Sequence, residues 1–245
     1  MKLPFHSYSF RARFLPAVLV LAPAIAAVAA WVPIESTSWT ILGSAGVLVA
    51  TAILLSHFAR DLGQRKQERL FSLWDGPPTT RFLRHRDQSL NAKTRQRYHE
   101  KLATLIPGIR IPSARSERER PEAADAVYAS CADWLRERTR DRSKYGLVFE
   151  ENVGFGFRRN LWAMKPAGVA LAALGLVASV TRLGADILAS SKPSVETGIA
   201  LMLSAAIGTW WVARIRPAWV SQAASSYAKS ILATCEGLGD EEATV

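Results

Sequence analysis

The sequence predicts an all-α integral membrane protein in which two transmembrane helical hairpins flank a small basic helical cytoplasmic domain. Apolar residues are concentrated in four blocks of 16 to 24 residues, and none of these blocks contains a charged side chain. The segment between the second and third blocks, residues 60–165, carries 23 of the 31 Lys and Arg residues and 14 acidic residues, so it holds +9 of the formal net charge of +10. This distribution favours membrane spans around a polar domain over a uniformly apolar soluble protein.

The N-terminal hairpin is predicted over residues 1–59, with spans at about 14–32 and 38–59. About 20 apolar residues cross the hydrocarbon core of a bilayer as a helix, and both stretches reach that length. The segment between them, residues 33–37, is so short that it can only turn the chain back at the same membrane face.

A second interpretation makes residues 1–30 a cleavable signal peptide. Arg11 and Arg13 precede the apolar run, which ends around Ala27, Val28 and Ala29. Cleavage would leave three spans and would send one of the basic regions to the outer side of the membrane.

The C-terminal hairpin is predicted over residues 162–214, with spans at about 163–185 and 196–213. The uncharged stretch of its first span is only 16 residues long, so Arg182 has to extend its guanidinium group into the far interface. The second span ends in Trp210 and Trp211, which suit the headgroup region. Pro193 breaks the helix between the two spans.

Orientation follows from the positions of Lys and Arg. Three lie before the first span, 23 in the central segment, three after the last span and only two in the turn of the second hairpin and its flank. Because cytoplasmic segments carry the excess of Lys and Arg, both termini and the central domain are predicted to be cytoplasmic. We therefore expect a multi-pass protein of the bacterial inner (cytoplasmic) membrane.

The cytoplasmic helical domain is predicted over residues 60–161. Its helices are expected at about 60–71, as a continuation of the second span, at 92–106 and at 121–142. Asn91 is a typical N-cap, and Pro121 fits the first position of a helix. The charged segment 112–120 is expected to be an exposed connector. A domain of this size buries few large side chains, so its apolar faces need each other, the membrane or a second copy of the chain.

Residues 215–245 are predicted to form an amphipathic cytoplasmic tail. Its apolar stripe consists of Val220, Ala224, Tyr227, Ile231 and Cys235. Such a helix docks on the cytoplasmic domain or on the membrane surface.

A candidate ligand or phosphate site follows the Gly-Pro-Pro turn that begins at Gly76. It consists of Thr79, Thr80, Arg81, Arg84 and Arg86. Hydroxyl and guanidinium groups are strong donors to phosphate oxygens. The alternative is a cationic collar that lies on anionic lipid or pairs with neighbouring aspartates, Asp75 and Asp87.

A candidate membrane-coupling segment leads into the third span. It consists of Phe155, Phe157, Arg158, Arg159, Trp162 and Lys165. Aromatic side chains and Trp suit the interface, and the three cations suit anionic headgroups. Gly154 and Gly156 serve in this interpretation as hinges, or else as sites of close packing.

The spacing of reactive residues predicts no catalytic residue, no metal site and no cofactor. The four histidines show no ligand spacing with Cys or carboxylates, and Cys131 and Cys235 are interpreted as small apolar residues. We therefore expect that the protein is not an enzyme. If it did act on lipid, only His85, Asp87 and His99 are placed to serve as acid or base.

Small residues in the spans allow close approach of helices. They are concentrated at 43–46, 167–175 and 198–208. Packing of four spans within one chain and assembly of a homo-oligomer both account for them.

The hydropathy layout of the whole chain resembles that of the small four-span membrane effectors of bacterial immune systems. The resemblance rests on layout and on no motif, so it assigns no role to any residue. It implies an inner-membrane effector whose cytoplasmic domain senses a signal and triggers pore formation or membrane disruption, in anti-phage defence. The expected partners are anionic lipid headgroups, further copies of the chain, and a nucleotide, a cytoplasmic protein or nucleic acid as the signal.

Two other functions remain open from the sequence. One is a non-enzymatic scaffold or adaptor that anchors a cytoplasmic partner through residues 79–142. The other is a membrane enzyme that acts on lipid.

Overall fold

A computed structural model describes residues 8–31 and 38–238 of the chain, and these ranges form helices and connecting loops without a strand. The all-α prediction is therefore confirmed. A π-helical turn (Phe10–Phe14) leads into the first helix. The helices are α1 (Leu15–Trp31), α2 (Ser38–Leu73), α3 (Pro78–Arg81), α4 (Ala92–Leu105), α5 (Ala114–Glu119), α6 (Pro121–Arg138), α7 (Gly146–Leu188), α8 (Val195–Arg214) and α9 (Pro217–Ala233), followed by a 3-10 turn (Thr234–Glu236).

The chain is divided into two compact units. Unit 1 comprises Met1–Gln67 and Gly156–Val220, and unit 2 comprises Glu68–Phe155 and Ser221–Val245. Three helices, α2, α7 and α9, contribute residues to both units. The tail predicted at 215–245 is likewise divided, because its first residues belong to unit 1 and the rest of it belongs to unit 2.

Three helical segments are long and apolar enough to cross a membrane: Phe10–Trp31, Gly146–Leu188 and Val195–Arg214. They contain the spans predicted at 14–32, 163–185 and 196–213, apart from residue 32. The span predicted at 38–59 coincides with the first part of α2. The turn at 33–37 and the side chains at 38–45 and 48 lie outside the described residues, so the four-span layout stays a prediction.

Glycines bring α1, α7 and α8 into close contact within unit 1. A Cβ atom on Gly175 of α7 would lie 2.7 Å from Ser204 Oγ of α8 and 2.9 Å from the Pro23 carbonyl oxygen of α1. A Cβ atom on Gly168 would lie 2.4 Å from the ring of Trp211. Packing within the chain therefore accounts for these two small residues of α7.

The outer faces of the unit 1 helices are apolar. Large exposed apolar side chains include Ile53, Leu54, Phe58, Leu174, Val177, Val180, Ile199 and Met202. Many large apolar side chains exposed in this way are consistent with helices that cross a membrane. The inner face holds an apolar cluster around Leu161, Met164 and Trp211.

Unit 2 has its own apolar core, built mainly by α4, α6 and α9. Its fully buried members include Leu102 of α4, Tyr128 and Leu135 of α6, and Ile231 and Leu232 of α9. The apolar stripe of the tail helix thus supplies part of the core that the central segment alone is too short to build.

Local signals at helix ends are confirmed at two positions and wrong at one. Asn91 Oδ1 accepts a hydrogen bond of 2.8 Å from the Lys93 backbone amide, and Pro121 begins α6. The segment 112–120, predicted as an exposed connector, contains the short helix α5 (Ala114–Glu119), and the prediction is wrong at Glu117, which is only 3% exposed while the rest of the segment is exposed or half-buried. The reason is that the carboxylate finds hydrogen-bond donors inside unit 2, as described below.

We expect that replacing Gly168 by alanine destabilises unit 1. The new methyl group would overlap the buried ring of Trp211, and overpacking of this kind typically costs about 1–3 kcal/mol. The matched control is Gly184→Ala on the same helix, where a Cβ atom would have no neighbour within 4 Å. Thermal unfolding of both variants in detergent measures the difference, and equal midpoints would contradict the packing described here.

Candidate functional site

Arg84 is the centre of a buried ion cluster in unit 2. It is 3% exposed, and its Nε and Nη2 atoms donate to the two carboxylate oxygens of Asp125 at 2.8 and 2.6 Å. Its Nη1 atom donates to Asp75 Oδ2 and to the Asp75 carbonyl oxygen, both at 2.7 Å. Burial opposes the charge of Arg84, but the two carboxylates outweigh this effect and raise its pKa. All of its donor nitrogens are therefore engaged within the chain.

The turn before α3 is shaped around this guanidinium group. Gly76 has φ +106°, in the region that favours glycine, and a Cβ atom there would lie 2.9 Å from Arg84 Nη2. Asp75, with φ 57°, precedes it. The Gly-Pro-Pro turn thus places the Asp75 carboxylate on Arg84.

The other members of the predicted phosphate site lie in the same region but are also engaged. Arg81 pairs with Asp87 at 2.8 Å, and Arg86 is half exposed with its Nη2 atom 3.7 Å from Asp75 Oδ2. Thr79 and Thr80 are buried, and Thr79 Oγ1 accepts from Arg136. A phosphate group bound here would have to displace a carboxylate from an arginine.

Glu117 forms a second buried polar centre in unit 2. Its carboxylate accepts hydrogen bonds from the His85 amide at 2.7 Å, from the Tyr128 hydroxyl at 2.9 Å and from the Arg86 amide at 3.3 Å. Burial favours its neutral form, but these three donors outweigh burial and lower its pKa. The pKa of Tyr128 is raised by its burial and by its bond to this carboxylate. Glu117 therefore joins α5, α6 and the segment after α3.

His85 and His99 lie next to each other beside Glu117. Their ring centroids are 4.9 Å apart, and the Nε2 atoms bond to the carbonyl oxygens of Pro112 and Leu83, at 2.9 and 2.7 Å. Burial lowers the pKa of His99, and the neighbouring His85 acts in the same direction. The two histidines are thus brought together, whereas Asp87 pairs with Arg81.

Both cysteines are buried in the apolar core of unit 2 and form no disulfide. Burial raises the pKa of Cys131 to about 11 and that of Cys235 to about 12. Thiols with such values carry almost no thiolate at neutral pH and are unreactive. Their interpretation as small apolar residues is confirmed.

In unit 1 three of the predicted coupling residues, Arg158, Arg159 and Lys165, make hydrogen bonds to other helical segments, and so does Asn160, which was not predicted. We call this stretch of α7, residues 158–165, the α7 anchor. Asn160 is fully buried, and its Nδ2 atom donates to the Ala12 carbonyl oxygen of the N-terminal π-helical turn at 2.7 Å. Arg159 Nη1 donates to Gln67 Oε1 of α2 at 2.5 Å. A Cβ atom on Gly63 of α2 would lie 2.1 Å from Asn160 Oδ1, so α2 needs glycine there.

The same stretch also binds α8 and α9. Lys165 Nζ donates to the Ile215 carbonyl oxygen at 2.8 Å and the Val212 carbonyl oxygen at 3.3 Å, both at the C-terminal end of α8. A cation there satisfies carbonyls that have no partner within the helix and matches the helix dipole. Arg158 Nη1 donates to the Trp219 carbonyl oxygen of α9 at 3.0 Å, and its guanidinium group lies 5.0 Å from the Trp219 ring centroid.

A reciprocal bond runs from α2 to α7. Lys66 Nζ donates to the Ala163 carbonyl oxygen at 2.8 Å and lies 6.0 Å from the ring centroid of Trp162. Trp162 and Phe157 pack against the apolar cluster of unit 1. Phe155, by contrast, belongs to unit 2 and stacks on Tyr227 with ring centroids 6.4 Å apart.

The two glycines of the predicted coupling segment lie within the continuous helix α7. A Cβ atom on Gly156 would lie 2.4 Å from the Tyr8 hydroxyl, whereas one on Gly154 would have no neighbour within 4 Å. Close packing therefore explains Gly156, and no contact explains Gly154.

Sequence reasoning missed the two residues with the most informative surroundings, Glu117 and Asn160. Glu117 lies in a charged segment, and no local pattern shows which of several charges is buried. Asn160 stands alone between two arginines and an apolar run, which is the one signal that marks it as unusual. A single polar residue at the start of a span is a reason to look for a backbone carbonyl partner.

Comparison with known protein families, with curated proteins and with solved structures found no match for this chain.

We expect that Arg84→Gln destabilises unit 2 by about 2 kcal/mol, because the position is buried and glutamine cannot replace the bonds of the guanidinium group to Asp125 and Asp75. Arg86→Gln is the matched control, since Arg86 is half exposed and its Nη2 atom lies 3.7 Å from Asp75 Oδ2, which is longer than a hydrogen bond. Chemical unfolding followed by circular dichroism compares the two. Equal losses would show that Arg84 is not the centre of the cluster.

We also expect acid to destabilise unit 2 in two steps. The pKa of His99 is lowered from 6.5 in the folded state, so its contribution is complete above about pH 6.5 and is lost as the pH falls below that value. Glu117, whose pKa is lowered from 4.5, adds a second loss below about pH 4.5. Thermal midpoints between pH 8 and 4 measure the profile.

His99→Gln tests the assignment of the first step. Glutamine keeps a donor for the Leu83 carbonyl oxygen but does not titrate, so the decline between pH 6.5 and 5 should shrink. An unchanged decline would assign it to another group.

Proposed function

We propose that the protein is an effector of the bacterial inner membrane in which a cytoplasmic helical domain receives a signal and the spans then open a pore or disrupt the bilayer, in anti-phage defence. Both termini and unit 2 lie on the cytoplasmic side in this proposal, because the central segment carries 23 of the 31 Lys and Arg residues. Two hairpins provide four spans, with the first part of α2 as the second span.

The observation that carries the proposal is that the α7 anchor binds every other membrane helix or its flank. Arg158, Arg159, Asn160 and Lys165 reach α9, α2, the N-terminal segment and α8, respectively. A displacement of α7 along or about its axis would break all of these bonds at once. One helix therefore controls the packing of the spans.

The path of α7 connects this control to the polar part of the chain. The helix begins at Gly146 among residues of unit 2 and continues without interruption to Leu188. A helix of 43 residues is roughly 65 Å long at 1.5 Å per residue. A conformational change at its first turns can therefore be transmitted mechanically to the α7 anchor.

The apolar outer faces of the unit 1 helices support a function inside the membrane over a function in solution. They offer lipid-facing surface and, after rearrangement, surface for other copies of the chain. Anionic headgroups are the proposed partners of the basic segment.

We expect induced wild-type protein to depolarise bacterial membranes and to stop growth. Lys165→Gln should change the depolarisation rate at least several-fold at equal membrane expression, because it removes the cation at the end of α8. Lys192→Gln, in the turn of the second hairpin, is the matched control and should behave as wild type. Membrane potential and dye entry are followed in parallel with growth.

Two outcomes would contradict the proposal. Intact membrane potential at full expression would move support to the adaptor function, and capture of a stable cytoplasmic partner would then test that alternative. Equal depolarisation rates for Lys165→Gln and wild type would show that the bond of Lys165 in the α7 anchor does not affect the packing of the spans.

A further inference from the structure

A half-open cavity of about 290 Å³ lies within unit 2, between the end of α6, the first turns of α7 and the middle of α9. Its lining includes Arg136, Thr139, Arg140, Phe149, Asn152 and Tyr227. This volume is at the lower edge of the range of about 300–1,000 Å³ that is typical of small-molecule sites. It suits one compact ligand.

One side of the cavity is cationic. Arg136 and Arg140 each pair with an acidic residue three positions earlier, Asp133 and Glu137, and the four side chains are 42–72% exposed. Arg136 Nη2 also donates to Thr79 Oγ1 at 3.3 Å, so Arg140 is the less engaged of the two arginines. Exposed ion pairs of this kind contribute little to the free energy of unfolding, so an anionic ligand can replace the carboxylates as the partner of the guanidinium groups. This distinguishes the cavity from the Arg84 cluster, where the arginine is buried and all of its donor nitrogens are engaged.

The other side is aromatic. Tyr227 is held nearly parallel to Phe155, with an angle of 7° between the rings, and Phe149 is held by the guanidinium group of Arg142, 4.2 Å from its ring centroid. Aromatic side chains held in this way offer fixed apolar surface to a flat ring. The Asn152 amide adds a donor and an acceptor that can read a polar ring edge.

We propose that this cavity binds a nucleoside monophosphate. Arg136 and Arg140 hold the phosphate, the aromatic wall formed by Phe149 and Tyr227 holds the base, and Asn152 bonds to the edge of the base. The proposal rests on the proposed function in one respect, since it makes this ligand the signal that unit 2 receives. Two of the three lining helices, α7 and α9, continue into unit 1, so occupancy bears directly on the helix that carries the α7 anchor.

Calorimetric titration of the purified full-length protein in detergent tests the site. The probes are adenosine 5′-monophosphate, guanosine 5′-monophosphate, adenosine and inorganic phosphate. We expect at least one of the two nucleotides to bind at least tenfold more tightly than adenosine or phosphate, because each of these lacks half of the contacts.

Matched arginine variants localise the binding. Arg140→Gln should weaken nucleotide binding at least about tenfold, since a charge-assisted bond is lost. Arg115→Gln is the control, because Arg115 is also exposed and pairs with Glu119 on its own helix but does not line the cavity. Tyr227→Leu should weaken binding of the nucleotide and leave binding of phosphate unchanged.

Three results would overturn the proposal. They are absence of binding by both nucleotides, equal affinity for inorganic phosphate and nucleotide, and equal weakening by Arg140→Gln and Arg115→Gln. The titration needs no membrane, so its failure is distinguishable from failure of the proposed function. If the protein binds a nucleotide but leaves membranes intact, the proposed site is supported and the proposed effector function is wrong.

Discussion

The arrangement of unit 1 depends on two buried polar side chains of α7, Arg159 and Asn160, whose hydrogen-bond partners lie on other helical segments. Asn160 and Arg159 are both buried in the region where α7 becomes apolar, and each would be costly to bury alone. Their partners lie on α2 and on the N-terminal segment, and Lys165 finds its partners at the end of α8. Because the donors lie along one stretch of one helix and the acceptors lie on several others, the arrangement of the helices is specified by these bonds rather than by apolar contact alone.

Close helix contact in the apolar part follows a different rule. An apolar side chain is as well solvated by lipid as by another helix, so hydrophobicity does not determine which helix faces pack together. The shape of the faces determines it instead. Gly175 admits the backbone of α1 and the Ser204 hydroxyl of α8, and Gly168 admits the ring of Trp211. Large apolar residues are thereby left on the outer faces.

Unit 2 obtains its specificity from buried charge. Arg84 and Glu117 are almost fully buried, and each joins segments that are distant in the sequence, Arg84 to Asp125 and Glu117 to His85 and Tyr128. Their complete hydrogen bonding makes burial tolerable and stabilises a single arrangement of α3, α5 and α6. The arginines that remain exposed, such as Arg136 and Arg140, are then the ones available to a ligand.

The sequence by itself determined the helical class, the three apolar spans confirmed by length and composition, and the helix ends at Asn91 and Pro121, because these depend on composition, periodicity and local hydrogen bonds. It also predicted that Cys131 and Cys235 are small apolar residues. Only the tertiary structure decided which polar residues are buried, since burial of Glu117, Arg84 and Asn160 requires partners 32, 41 and 148 positions away. For the same reason the sequence left open whether the tail helix docks on the cytoplasmic domain or on the membrane surface. Its partners in the unit 2 core lie on α4 and α6, and sequence periodicity shows that a face is apolar but not what it packs against.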